Sequence, residues 1–280
     1  MSIADDVTCV VASRNRRDDL LVSLGRHEAP VVLVDNASED DTVTAVRAAY
    51  PDVTVLTLDR NVGALARTIG AAEARTRYLA FCDDDSWWSP GDLARAVQLM
   101  DASPRLALLA ARVLVGAEDE LDPVCTEMAG SALGKEPDLP GPSILGFMAC
   151  ASLVRAEAFT AAGGFDPVVR FPGEEERLAL DLAAQGWGLA YVDEVTVHHH
   201  PSVRREGADA RQAGIWRSRV LTALMRHPLR QVAGQVRAAW QVGPPGRRGL
   251  LLALPRVPGA LRRRRVAPAA VLAAVRELTS

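Results

Sequence analysis

Short apolar runs alternate with amphipathic stretches through the first two hundred residues. Val7 to Ala12 is a β-branched run, Arg16 to Arg26 carries helical spacing, and Val31 to Val34 is a second apolar run ending at Asp35. A helix-like stretch follows at Thr42 to Ala49, then a strand at Val53 to Leu58, a helix from about Gly63 to Ala74, and a strand at Tyr78 to Cys82. Strands alternating with helices at these intervals predict an α/β fold, a doubly wound, mainly parallel sheet flanked by helices. Ligands of such sheets bind at the carboxyl ends of the strands. Polar residues gather at those ends: Ser13-Arg14-Asn15, Asp35-Asn36, Asn61-Val62-Gly63 and Asp83-Asp84-Asp85.

Farther along, the pattern predicts a helix near Pro90 to Asp101 and a strand at Leu106 to Val115. Residues 116–142 then mix glycine, proline and acidic side chains. A connection of that length is a candidate lid or acceptor loop, with a solvated surface loop as the alternative. Order returns over Leu145 to Val154, a helix at Ala156 to Ala162, and the turn Gly163 to Asp166. A helix at Glu174 to Gln185 is stopped by Gly186. A last strand, Leu189 to Val192, leads through Val195 to Val197 into His198-His199-His200. Beyond residue 202, Ile215, Trp216, Val220, Ala223 and Leu224 repeat at helical spacing, so a C-terminal helical extension is expected to pack on the sheet domain.

The chain has 280 residues, 49% apolar and 24% charged, which is ordinary for a globular protein. No basic-then-apolar leader opens it, and the longest uncharged apolar run, Ile144 to Val154, is too short to span a bilayer, so a cytoplasmic protein is expected. Cys9, Cys82, Cys125 and Cys150 lie far apart without paired spacing and read as reduced core residues. The net charge of −3 conceals a division. Residues 1–200 hold 16 Lys+Arg against 32 Asp+Glu, whereas residues 201–280 hold 16 against 3. Leu250 to Leu254 and Arg262 to Arg265 make that tail apolar and cationic. It suits either peripheral contact with anionic lipid at the inner face of the membrane or a solvated extension that neutralises the acidic domain. No aromatic-basic interleaving points to nucleic acid.

Three clusters carry candidate chemistry. In extended chain Asp83 and Asp85 point one way and Asp84 the other, so two hard oxygen ligands converge as Mg²⁺ or Mn²⁺ prefers. The same triplet also suits a turn or helix start, since Ser86 and Pro90 follow. Glu174, Glu175 and Glu176 open a helix, where acidic residues complement the dipole whether or not they catalyse. Among His198 to His200, one imidazole can complete the coordination of a metal held by Asp85.

Taken in order, Val10 to Arg16 (VVASRNR), Val32 to Asp40 (VLVDNASED), Asn61-Val-Gly63 with Ala66-Arg67, Asp83-Asp-Asp85, Gly163-Gly-Phe-Asp166, Gly173-Glu-Glu175 and Val197-His-His-His200 resemble the family 2 glycosyltransferases of the GT-A fold. The resemblance covers about residues 7 to 202 and implies a GT-A catalytic domain over 1–202, with a nucleotide-sugar half (1–105) and an acceptor half (106–202). Residues 203–280 form the basic extension. It implies a bacterial, inverting enzyme that uses a divalent cation, Mg or Mn, and a nucleoside diphosphate sugar. The donor is a UDP-sugar by default, with dTDP- and GDP-sugars as alternatives. Carried over by position, Asp35 would contact base or ribose, with Ser13, Arg14, Asn15 and Asn61 around the nucleoside. Arg67 would approach the diphosphate, and Asp83 the ribose or a metal-bound water, with Asp84 beside it. Asp85 would ligate the metal with Asp83 and with His199 or His198. Glu175 takes the general-base position beside Glu174, where the family commonly has Glu-Asp. Thr68 and Arg177 also depart from the family pattern. The same resemblance makes Trp87 and Trp88 candidates for stacking on a sugar and Met148 for the wall of an acceptor pocket, with packing as the plainer role for each. The acceptor is left open as a glycan, a lipid-linked or a small molecule. A sugar-nucleotide nucleotidyltransferase is the rival enzyme, although the glycine-rich basic N-terminal loop usual there is absent, and a non-catalytic nucleotide-sugar-binding protein is the rival outside enzymes.

Overall fold

The computed structural model describes residues 3–201 and 207–279. The elements up to residue 115 are α1 Ile3–Asp6, β1 Val7–Ser13, α2 Arg17–Ser23, β2 Val31–Asp35, α3 Thr42–Ala49, β3 Thr54–Thr57, α4 Leu65–Glu73, β4 Tyr78–Cys82, β5 Ser86–Trp88, α5 Asp92–Ala102 and β6 Leu106–Val115. They continue with β7 Glu120–Leu121, α6 Pro123–Ala129, β8 Ser152–Arg155, α7 Ala156–Ala161, α8 Glu175–Ala184 and β9 Gly188–His199. The tail holds α9 Ala208–Arg226, α10 Leu229–Gln241, α11 Pro244–Ala253, α12 Val257–Arg262 and α13 Ala269–Thr279.

The strands form one sheet in the order β3-β2-β1-β4-β8-β6-β9-β5, with β7 paired to β6. β3, β2, β1 and β4 run parallel, as the alternation predicts, because each is joined to the next by a helix that crosses the sheet. The second half is mixed. β8 lies antiparallel between β4 and β6, β6 is parallel to β9, and β5 is antiparallel to β9. Every residue of β2 and β4 is buried, consistent with helices on both faces. Close helix docking depends on Gly70, where a Cβ would fall 2.7 Å from Val10 Cγ1 and 2.8 Å from Val34 Cγ2. That contact seats α4 on β1 and β2, one turn from Arg67.

Two expectations change in the second half. The stretch 116–142 is no open loop; it holds β7 and α6, and Arg105 ties its far side down through Asp138, Nε to Oδ2 at 2.7 Å. The apolar run from Leu145 shortens to β8, which begins only after a 3-10 turn at Ala149–Ala151. All four cysteines are free and buried.

The tail packs on the sheet domain. Leu221 and Met225 of α9 join Val168, Val169, Ala253 and Ala260 in one cluster, and Leu180 of α8 meets Ala267, Val271 and Leu272 in another. Arg226 Nη2 donates to Asp181 Oδ2 of α8 at 2.9 Å. The boundary expected at residue 202 lies outside the described residues. No helix among the described residues is long and apolar enough to cross a membrane.

Candidate active site

The loops after β1, β2 and β4 meet at the carboxyl edge of the parallel strands. Asp35, last in β2 and buried, accepts from the Ser38 amide at 3.1 Å through Oδ2, while its buried Oδ1 has no protein partner. An unpaired buried carboxylate oxygen is costly, so it marks a place where an N–H or O–H donor from outside would be welcomed. Arg14 and Asn15 fasten the loop after β2. Arg14 Nε donates to the Ala37 carbonyl at 2.9 Å, and Asn15 Oδ1 accepts from the Glu39 amide at 2.8 Å. Asn15 and Ala37 both take positive φ, which shapes the two turns. Asn61 Oδ1 accepts from the Gly63 amide at 2.8 Å, and Asn36 accepts from Val62 N and donates to Gly63 O. Asn36 thus holds the third loop against the second, a bridging role the sequence reading did not assign to it.

After β4 the chain turns at the triplet, and the three aspartates divide. Asp83, Asp85 and His199 offer ligand atoms that all lie within 4.8 Å of one another. His199 Nε2 stands 3.4 Å from Asp85 Oδ1. Two carboxylates and an imidazole are a donor set that suits Mg²⁺ or Mn²⁺ with positions left for water and phosphate oxygens. Asp84 turns the other way and accepts from Ser13 Oγ at 2.7 Å through Oδ2. Burial, with Asp85 and Asp83 beside it, pushes its carboxyl up to about 7. Ser86 braces the turn, accepting from the Asp83 amide at 2.8 Å and donating to Cys150 O at 3.3 Å.

β9 alternates its side chains, so His198 and His199 at its end point to opposite faces, with His200 just beyond the strand. His199 faces the aspartates. His198 faces away, with Nε2 2.9 Å from Ser89 Oγ and Nδ1 3.0 Å from Asp119 Oδ1. Trp87 lies on that second side, stacked with His198 and close to His200, with the Arg26 guanidinium 4.0 Å over its ring. Trp87 and Trp88 are 7% and 3% exposed, so both indoles are enclosed by protein. Met148 is half-buried and packs against the main core just before the 3-10 turn.

A buried guanidinium links the triplet to the acidic helix start. Arg67, on α4, pairs with Asp83 Oδ1 at 2.5 Å and with Glu174 Oε1 at 3.1 Å. Both of its partners are therefore protein carboxylates. Glu174 is fully buried with Oε2 unpartnered, and burial raises its carboxyl above the usual range. Glu175, the first residue of α8, is half-buried and is pushed up to about 8 by burial and then by the neighbouring Glu174 charge. The dipole at the start of α8 favours an ionised Glu175. It is outweighed, since a dipole is worth a few tenths to about 1 kcal/mol whereas desolvation next to a second carboxylate exceeds that.

The residues that depart from the family pattern serve the frame. Thr68 Oγ1 accepts from the Phe165 amide at 2.8 Å and leaves no room for a Cβ at Gly164. Arg177, 2% exposed, is bonded to Asp181 at 2.5 Å and to the carbonyls of Ala162 and Gly164. Together they hold the Gly163-to-Asp166 turn, whose continuation passes Arg170 beside Gly63 and delivers Glu174. A buried arginine with carbonyl partners has no periodic sequence signal.

The chain belongs to the family described as glycosyl transferase family 2, whose model matches residues 9–162. It is 28% identical over 106 residues to the uncharacterized glycosyltransferase YwdF of Bacillus subtilis, covering 35% of this chain and 39% of that protein. It thus spans well under half the length of that curated relative. Among solved structures, S. aureus TarS residues 1–349 with UDP-GlcNAc superposes with a TM-score of 0.58 at 14% identity, covering 78% of this chain and 66% of that TarS segment. The Pyrobaculum calidifontis mannosyltransferase PcManGT with GDP-Man and Mn²⁺ gives 0.60 at 19% identity, over 99% of this chain and 88% of that one. These likenesses establish the GT-A fold.

Proposed function

We propose that this chain is an inverting, divalent-metal-dependent glycosyltransferase that moves a sugar from a nucleoside diphosphate sugar to an acceptor hydroxyl, with Glu175 as general base. The convergence of Asp83, Asp85 and His199 at the carboxyl edge of the parallel strands, beside the unpaired Asp35 oxygen, is the observation that carries it. Asp35 Oδ1 accepts from the nucleoside, in a pocket whose shape is held by Ser13, Arg14, Asn15, Asn36 and Asn61. Asp83, Asp85 and His199 would hold Mg²⁺ or Mn²⁺, which supplies neutralisation of the negative charge that grows on the departing diphosphate. Arg67 fixes the Asp83 and Glu174 carboxylates relative to each other, an orienting task that precedes any contact with phosphate.

Glu174 is enclosed and bound to Arg67, which leaves Glu175 as the carboxylate with access to an acceptor. In its ionised form Glu175 takes the hydroxyl proton as the oxygen attacks the anomeric carbon, and displacement from the face opposite the diphosphate inverts that centre. UDP is the nucleotide favoured here, with GDP and dTDP next. The UDP-GlcNAc in TarS and the GDP-Man in PcManGT support the donor class. Peripheral contact with a membrane through the basic extension belongs to the same reading, with a glycan, lipid-linked or small-molecule acceptor. A panel of UDP-, GDP- and dTDP-sugars, scored by thermal stabilisation with and without Mn²⁺, should single out one donor that stabilises only with metal and is then turned over to free nucleoside diphosphate. Stabilisation independent of metal, or pyrophosphate as the product, would sink the assignment.

A further inference from the structure

Nine of the fourteen exposed large apolar side chains among the described residues fall between residues 229 and 266. On α10 the exposed stripe runs Leu229, Val236, Trp240, at 66%, 39% and 59% exposure. On α11 and α12 it continues as Leu251, Leu254 and Leu261, at 67%, 62% and 51%. The α10 residues keep the spacing of one helix face, whereas Leu251, Leu254 and Leu261 follow the end of α11, the 3-10 turn at Leu254–Arg256 and α12. The two helices touch closely, since a Cβ on Gly246 would meet the Ala239 carbonyl oxygen at 1.9 Å, and Gly249 is equally tight against α9. They therefore form one firm surface and not two loose arms.

Arginines border this apolar surface. Arg230, Arg237, Arg247, Arg248 and Arg262 make no ion pair among the described residues, and Arg247 lies 4.7 Å over the Trp240 ring. From residue 210 to residue 276 the sequence contains no aspartate or glutamate and fourteen arginines. Such a face repels a second copy of itself, so self-association does not cover it. An apolar stripe edged by uncompensated cations, with an indole at its rim, matches the interface of a bilayer that carries anionic headgroups.

We propose that the outer face of α10 to α12 docks on an anionic phospholipid bilayer. This inference rests on the peripheral contact proposed above and deepens it by naming the face and the lipid charge. It also bears on the acceptor. α9 lies between this face and the Arg170-to-Gly173 loop that leads into Glu174 and Glu175, with Ser218 Oγ donating to the Arg170 carbonyl at 2.9 Å. Docking would hold the catalytic loop at a fixed place relative to the membrane, where an acceptor carried at that surface can reach it.

The test is flotation of the full-length protein with vesicles of phosphatidylcholine alone or with 30% (about) phosphatidylglycerol, read alongside Trp240 fluorescence. Binding to the anionic vesicles only, with a blue shift in emission that Trp240→Phe removes, is expected. Each arginine near the surface contributes about fivefold in partitioning, so the pair Arg247→Glu and Arg248→Glu should weaken it by at least about 25-fold. Leu251→Glu with Leu254→Glu should abolish it while circular dichroism stays unchanged. Equal binding to neutral vesicles, no flotation, survival of binding in the double Leu→Glu protein, or capture of duplex DNA in place of vesicles would each overturn the proposal. Donor hydrolysis measured without vesicles reports on the glycosyltransferase reading separately, because it does not need this face.

Discussion

If Glu175 is the base, its burial sets the pH dependence of the reaction. Its carboxyl stands at about 8 instead of the ordinary 4.5, raised by desolvation first and the Glu174 charge second. Only the ionised form can accept a proton, so activity must rise with pH through that value. Two pH units below the inflection about 1% of the base is ionised, so kcat/KM should fall there to about a hundredth of its alkaline plateau, at pH 6 for an inflection at about 8 and at a lower pH where bound metal shifts it. A divalent ion on Asp83 and Asp85 neutralises nearby negative charge and draws the inflection downward, though it leaves the burial contribution in place. The measurement is release of nucleoside diphosphate at saturating Mn²⁺ between pH 5.5 and about 9.5, with donor affinity followed by calorimetry. Glu175→Gln should lower turnover by about 10²- to 10⁴-fold, flatten the profile and leave donor affinity within about twofold. Glu175→Asp, which withdraws the carboxylate by one methylene, should fall between. A native profile that is flat across the range, or a Gln variant that turns over within about threefold of native, removes Glu175 from the mechanism.

The cation site predicts that His199→Ala weakens Mn²⁺ binding by at least about tenfold in titration calorimetry, whereas His198→Ala, on the other face of β9, leaves it unchanged. Asp84 and Glu175 hold protons in the folded state up to about 7 and about 8, above their unfolded values, so the stability they contribute is present at low pH and is lost as pH rises through those values. Without metal, the unfolding free energy from urea titrations should therefore fall from pH 5 to pH 8, by up to about 1.4 kcal/mol per pH unit for each titrating group, and Mn²⁺ should flatten the decline. Arg67→Met leaves Asp83 and Glu174 without their shared partner, and unfolding in urea should show a loss of about 3–5 kcal/mol.

The parallel half of the fold was legible because its strands are long enough to show apolar runs and its polar residues fall at their ends. β5 was not, since three residues, Ser86 to Trp88, carry no period and their pairing with His198 and His199 on β9 is non-local. α6 had a readable start that went unread, with Asp122 as cap and Pro123 at the first turn, because the surrounding glycines and prolines suggested loop. The histidine run carried its own solution. Alternation along extended chain separates His199 from His198 and His200, as it separates Asp84 from Asp83 and Asp85. Buried arginines are a different case. Whether Arg67 and Arg177 face solvent or span the interior depends on contacts over a hundred residues away for Arg67, and on carbonyls freed by an unusual turn for Arg177.

Five carboxylates, Asp83, Asp84, Asp85, Glu174 and Glu175, stand in the triplet and at the start of α8, which one buried guanidinium joins, and that imbalance explains much of the site. One Arg67 satisfies two of them. Asp84 and Glu175 respond by holding protons at higher pH than a solvated carboxyl would, each pushed up by burial and by its neighbours. A divalent cation offers the same relief without a proton. Cation binding and proton release would then be two faces of one equilibrium, so the affinity for Mn²⁺ should rise with pH, and a bound ion should lower the pH at which Glu175 ionises by the share that neighbouring charge contributes, leaving the share due to burial. On this reasoning the acidic cluster ties readiness for catalysis to occupancy of the metal position: without metal the cluster holds its protons to higher pH, and the ion that would neutralise the leaving group would also bring the charge state that attack requires to a lower pH.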